Sequence, residues 1–385
     1  MRAMKLHEWF ERADKWFEGE QAPLRSLYPV YEAVGAFFFV PPVRTLHGPL
    51  VRDAVDIKRY MIAVVLALLP AYLFGLAAFG PRLIVMTVVS YAVGGLVEAL
   101  FAIFRKEEIN EGFLVTGLLF PMILPPQTPL WIVAVGIAFG VFFGKEVFGG
   151  TGHNIFNPAL VGRCFVALSW PAHLARSYIK PLGWIDAFTS RGLTALVDSP
   201  IQAVTAATPL NDLNTAVRQG QALSFFSPQT AQLYLGWTAG SVCETAAWLI
   251  LPAGLWLCWT RVSNWRTPAA VIGSYIALGA VLSFFRPVQF VSPALGLAAG
   301  GLLFAAFYMA TDPVTSPVSN RGKLIYGCGI GALVVVFRGL GAIPEGVTYA
   351  VLLMNMAAPL LDRYMILSSV PATLPRKEIP REANA

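Results

Sequence analysis

Charge is scarce in this chain. Of its 385 residues, 13% are Asp, Glu, Lys or Arg, against about 25% in a typical soluble domain, which excludes an ordinary soluble fold. Histidine and cysteine number four each. No CxxC pair and no paired metal-ligand spacing exists among them, so nothing in the sequence argues for zinc or heme. Cys164, Cys243, Cys258 and Cys328 all lie in apolar segments and read as small buried hydrophobes. There is no GxGxxG after a strand and no GxxxxGK[ST], so the usual devices for NADH and ATP are missing. The first 20 residues are charged throughout and do not read as a cleavable signal peptide.

What is abundant is apolar sequence: 56% of the chain, with recurring runs of about 18 residues or more that mark membrane-spanning helices. The expected fold is an all-α polytopic membrane protein. Ten spans are expected at about 60–80, 84–104, 113–125, 129–147, 155–170, 242–260, 268–285, 289–310, 324–341 and 346–363. The third carries Pro121 and Pro125-Pro126 and reads as a broken helix lining a site. Five regions follow: 1–57, 58–170 with spans one to five, an extramembrane loop 171–241, 242–363 with spans six to ten, and a tail 364–385. In the first, Leu6, Trp9, Phe10, Ala13, Trp16 and Phe17 fall on one helical face, which suits a helix lying on the membrane surface.

The net charge of +6 reflects topology rather than nucleic-acid binding. With the N-terminus inside, Lys58, Arg59, Arg105, Lys106, Lys145, Arg261, Arg266, Arg321, Lys323 and Arg363 fall on the cytoplasmic side. Arg82, Arg176, Lys180, Arg191, Arg218 and Arg286 fall outside, four of them in the long loop, where charge counts little. Both termini are therefore expected in the cytoplasm and residues 171–241 on the outer face. Gly94-Gly95-Leu96-Val97-Glu98 also resembles Gly240-Ser241-Val242-Cys243-Glu244. Two halves of five helices would enter from opposite sides, an inverted repeat of the kind found in transporters. The match is short, and chance accounts for it as well as duplication does.

Three sets of residues carry candidate chemistry. Thr205-Ala206-Ala207-Thr208 puts a hydroxyl on a small-residue segment just outside the membrane, a candidate attachment point for a covalent cofactor. The loop Gly149-Gly150-Thr151-Gly152-His153-Asn154-Ile155-Phe156-Asn157-Pro158 offers glycines for close backbone approach and amides that suit the edge of a heteroaromatic ring. Asn157 at an N-cap with Pro158 at N1 explains the same residues structurally, and the two readings are compatible. Thr311 to Pro317 is treated as its mirror, either a cap or an ion loop. Finally, Glu98, Glu146, Glu244, Asp312 and Asp362 lie in or near apolar spans, where a charge is costly and faces a polar path or a hydrogen-bond network. Glu146 beside Lys145 reads as an interfacial pair.

Together these residues resemble the NqrB/RnfD family, membrane subunits of the Na+-translocating NADH:quinone oxidoreductase (Nqr) and of Rnf complexes. The resemblance runs through residues 51–59 and 105–113, Gly144 to Gly152 with Asn154 and Asn157 to Leu160, Met309 to Val314, and Ala358 to Asp362. It implies FMN joined by a phosphoester to Thr208, with Ala206 in place of the commoner glycine and Gln202 where an acid is frequent. It implies a noncovalent riboflavin at Asn154 and Asn157, a quinone region at Gly94-Gly95, and sodium movement at Glu98, Asp312 and Asp362, with Glu244 a further ion-path candidate from its depth. The implied role is a translocase subunit of the bacterial inner membrane that helps pass electrons from NADH to ubiquinone and couples this to Na+ export. Its implied partners are Nqr subunits A, C, D, E and F, membrane lipid, and a flavin transferase for maturation. The connection at Gly80-Pro81 looks short beside some family members. Two rivals remain: an Rnf-type or proton-moving subunit, and a non-redox secondary transporter for a flavin-like or nucleoside-like solute.

Overall fold

The structure is a computed structural model and describes residues 57–105, 112–181, 208–220, 228–341 and 346–369. The N-terminal region with its amphipathic pattern, Thr205 to Ala207, and the tail beyond 369 lie outside the described residues. Secondary structure among the described residues is helical, without strands. Each of the ten apolar segments contributes helix: α1 Ile57–Phe79, α2 Arg82–Arg105, α3 Gly112–Met122, α4 Leu130–Gly144, α5 Pro158–Ser169, α6 Ala247–Trp259, α7 Arg266–Phe285, α9 Asn320–Leu340 and α10 Val347–Ser369. The eighth, α8, comes in pieces: Pro293–Ala298, Leu302–Phe304 and a π-helical turn Ala305–Met309. Five stretches, within α1, α2, α4 with its 3-10 turn, α7 and α9, are long and apolar enough to cross a membrane, while α3, α5 and α6 are shorter apolar helices. This is a multi-pass membrane protein.

The short helices have local causes. Pro121 has no N–H for the Gly117 carbonyl one turn back. The Ser90 hydroxyl of α2 donates to that carbonyl instead, at 2.8 Å, and the Tyr91 hydroxyl donates to the Leu114 carbonyl at 2.6 Å. Beyond α3, the Met122 and Leu124 carbonyls accept from the Cys243 and Val242 amides, both at 3.1 Å. Residues 242–246 are thereby held as a backbone bridge, so α6 begins at Ala247 rather than at the expected 242. Freed backbone groups at membrane depth need such internal partners.

The helices pack as two halves with the same scheme. In the first, α2 packs on α4, α4 on α5, and α3 lies against α1, α2 and α5. In the second, α7 packs on α9, α9 on α10, and α8 lies against α6, α7 and α10. Small residues set the closest approaches. A Cβ on Gly140 would sit 2.5 Å from the Pro158 carbonyl oxygen of α5, and one on Gly331 would sit 2.4 Å from the Val271 carbonyl oxygen of α7. The halves join where α1 meets α6 and where α5 meets α10, the equivalent helices in each case.

This scheme corrects the repeat register expected from sequence. Glu98 lies on the second helix of its half, whereas Glu244 precedes the first helix of the other. By the packing, the counterpart of the loop 310–319 is the turn 123–129, not residues 149–157.

Candidate functional site

Two cavities lie at opposite ends of α6, one beside the break in α8 and the other beside the end of α8. The larger lies where α1, α3 and α5 begin and α6 and α8 end. Its wall includes Tyr60, Thr116, Lys145, Thr151, Asn154, Asn157, Tyr308 and Asp312. The smaller lies under Thr208 and is walled by Leu210, Ser241, Glu244, Thr245 and Ala298 to Gly300. The thirteen residues of α6 separate them by about 20 Å at 1.5 Å per residue.

At the larger cavity, the loop after α4 turns on Gly149, Gly150 and Gly152, all with positive φ, which glycine tolerates without strain. Asn157 is the N-cap of α5: its Oδ1 accepts from the Ala159 and Leu160 amides at 3.1 and 3.4 Å, with Pro158 at N1. The cap reading of Asn157 is thus observed, and the capping residue also walls the cavity. Asn154 donates through Nδ2 to the Phe156 carbonyl at 3.0 Å. The buried Thr151 hydroxyl has no hydrogen-bond partner. Across the cavity, Asp312 accepts from the Val314 amide and the Thr315 hydroxyl, each at 3.1 Å. Burial pushes its carboxyl above the usual carboxylate range, and those two hydrogen bonds oppose the shift.

Beside this cavity runs a ladder of buried charge. Lys145 donates to Glu98, and Arg105 pairs with Glu146 at 3.0 Å. Glu98 is 5% exposed, and its second oxygen has no partner among the described residues. Glu146 is thus held by Arg105 of α2 rather than by the adjacent Lys145, because the 3-10 turn Glu146–Phe148 points consecutive side chains to different neighbours. One turn before Glu98, Gly94 is buried under the Phe113 ring of α3, whereas a Cβ on Gly95 would meet only that ring, at 3.4 Å.

At the smaller cavity, Thr208 is the N-cap of the helix Pro209–Arg218, and its side chain makes no capping bond. Its carbonyl accepts from Asn211 and Asp212, so the backbone is fixed while the half-exposed hydroxyl is uncommitted to the cap. Glu244 pairs with Arg163 of α5 at 2.6 Å, and Arg163 also donates to the Ser241 hydroxyl at 3.3 Å.

The structure thus gathers Asn154, Asn157, Asp312 and, through Lys145, Glu98 at one end. Thr208 and Glu244 are together at the other. Asp362 belongs to neither cavity: its two carboxylate oxygens accept from the Val318 and Ser319 amides at 2.9–3.2 Å, anchoring the start of α9. No cluster of three or more metal-ligating side chains exists among the described residues.

The profile described as the NQR2, RnfD, RnfE family matches residues 44–370. The chain is 34% identical to a protein of Ectopseudomonas mendocina (strain ymp) named as the B-type subunit of a Na(+)-translocating NADH-quinone reductase, over 97% of this chain and 98% of that one. A protein of the same name from Azotobacter vinelandii is 35% identical, over 97% of this chain and all of that one.

Proposed function

From the premise that the chain belongs to the NQR2, RnfD, RnfE family, we propose that it is the membrane subunit of a redox-driven sodium pump. In this reading it carries FMN on Thr208 and riboflavin near Asn154 and Asn157, and it couples electron transfer toward quinone to Na+ export. The observation that carries the reading is the uncapped Thr208 hydroxyl at one end of α6 and α8, with an amide-lined cavity at the other.

The residues fit both groups. Thr208 presents its hydroxyl at the N-terminus of a helix, where the helix dipole favours the negative charge of an attached phosphate. At the other end, Asn154, Asn157 and the unpartnered Thr151 hydroxyl offer polar contacts to a ring edge, between the apolar walls of α1, α3 and α8. Bound flavin supplies one- and two-electron transfer. The chain holds it, shields it from water and sets the charge around it. Glu98 with Lys145, together with Asp312, places exchangeable charge beside the larger cavity, so a change in its charge alters the cost of holding a cation nearby. Gly94-Gly95 borders the quinone region, and Glu244 and Asp362 complete the proposed ion path. The partners are Nqr subunits A, C, D, E and F, ubiquinone, lipid and a flavin transferase. The site is the inner membrane, with both termini cytoplasmic and Thr208 outside.

The test is ultraviolet fluorescence of the SDS-denatured chain, made with an active flavin transferase, beside Thr208→Ala. A fluorescent parent and a dark variant are expected. Fluorescence in both moves the attachment to another hydroxyl, with Thr205 next, and none in either defeats the covalent-flavin reading.

A further inference from the structure

Lys145 and Arg163 are buried cations that face carboxylates. Arg338, near the end of α9, is 6% exposed and makes no ion pair among the described residues. Its Nη1 donates to the Tyr275 hydroxyl at 3.1 Å and the Gly296 carbonyl at 2.6 Å, and its Nη2 donates to the Ala299 carbonyl at 3.1 Å. The guanidinium carbon lies 5.4 Å from the Tyr275 ring centre. Among the described residues the buried Nε has no acceptor. All of the bonded partners are neutral, so among the described residues the guanidinium is bonded to no carboxylate, a costly arrangement for a buried charge.

The space beside it shows where the missing charge belongs. Arg338, Arg163 and Glu244 wall a narrow crevice that shares Glu244 and Gly300 with the cavity under Thr208. Gly300 has φ +74. A Cβ there would lie 3.1 Å from Arg338 Nη2 and 3.6 Å from Leu210 Cδ2. Gly300 therefore lies between the guanidinium and the Leu210 side chain of the Thr208 helix.

We propose that Arg338 is the counter-charge for the phosphodiester formed at Thr208. The inference rests on the Thr208 reading. In that attachment the Thr208 Oγ1–phosphorus bond forms, the phosphorus–oxygen bond to the AMP half of FAD breaks, and the hydroxyl proton is released. No electrons change hands. The product carries one negative charge on the phosphate, directly on the Thr208 oxygen, whereas the flavin ring lies beyond the ribityl chain. The phosphate is therefore the group that meets Arg338. Before attachment the arginine is uncompensated, and attachment stabilises the fold around it.

The test is a thermal cycle on the full-length chain in detergent, made with and without the transferase, for the parent and Arg338→Gln. In-gel fluorescence reports attachment independently of stability. A parent that melts several degrees higher when flavinylated, beside a fluorescent variant that gains less than half as much, supports the proposal. Equal gains in two fluorescent proteins overturn the counter-charge and leave Thr208 as the attachment site. A dark parent overturns the Thr208 reading and this one with it. Should the Gln variant not be recovered, Arg338→Met, whose unbranched side chain is uncharged and suits an apolar surround, carries the comparison. A reduced gain then supports the proposal, and an undiminished gain overturns it.

Discussion

Glu98 is bonded to Lys145 in an apolar surround, with its second oxygen unpartnered. Glu98→Gln leaves the ammonium without its counter-charge, and breaking a buried pair from one side costs about 3–5 kcal/mol. The variant is expected to melt lower and, per folded molecule, to need more sodium for half-maximal turnover. An unchanged sodium dependence would remove Glu98 from the ion path and leave it a structural partner of Lys145. At this scale the sequence reveals half of each pair. The carboxylates stand out because acids in apolar runs are costly. Lys145, Arg163 and Arg338 obey the same rule, but a basic residue in such a chain reads first as a topology marker. Which cation meets which acid is not legible, since Lys145 and Glu98 are far apart in the chain and meet only through the packing of α2 against α4. Asp362 illustrates the converse: its place at the start of α9, held by backbone amides, depends on a loop more than 40 positions away.

Among the elements, α2 separates packing from function at adjacent positions. A methyl on Gly94 would lie 2.7 Å from the Phe113 ring and 2.9 Å from Ile137 Cγ1. Gly94→Ala should therefore cost about 1–3 kcal/mol through overpacking. Gly95→Ala should cost nothing measurable in melting temperature, because helix propensity favours alanine by up to ~1 kcal/mol. A Gly95→Ala variant that melts normally but has an altered KM for quinone would support the quinone assignment of this region, and an unaltered KM would count against it. The helices themselves are legible as apolar runs, and Pro121 marks the break in α3. The break in α8 is not: Gly300-Gly301 is a weak signal, and the π-helical turn that follows is fixed by packing rather than by local preference. The late start of α6 is equally hidden, because it depends on backbone bonds to the end of α3.

At the scale of the whole molecule, five helices per half is an odd number, so equivalent helices run in opposite directions across the membrane if every segment crosses. The proposed topology has the N-terminus inside and Thr208 outside. In a chain whose four cysteines are replaced by alanine, Asp212→Cys should react with a membrane-impermeant thiol reagent added outside intact cells. Arg321→Cys, at the exposed start of α9, should react only after the membrane is opened. The reverse pattern would invert the topology and put Thr208 in the wrong compartment for the proposed attachment. The two-half architecture is visible in the sequence as a count of spans, but its register is not, because the short Gly–Glu match joins positions that the packing shows to be unrelated.

The interrupted α8 has a last consequence. Gly301 contacts the Thr208 side of the molecule, and Thr311 walls the cavity at the other end. The backbone between them is a short covalent link, and its helical rise holds Thr311 no more than ~15 Å from Gly301. Electron exchange between two carriers weakens exponentially with separation. In the two-flavin reading proposed above, this segment is a molecular ruler: an extra helical turn of about 5.4 Å inserted there is expected to slow exchange steeply even with every contacting side chain unchanged.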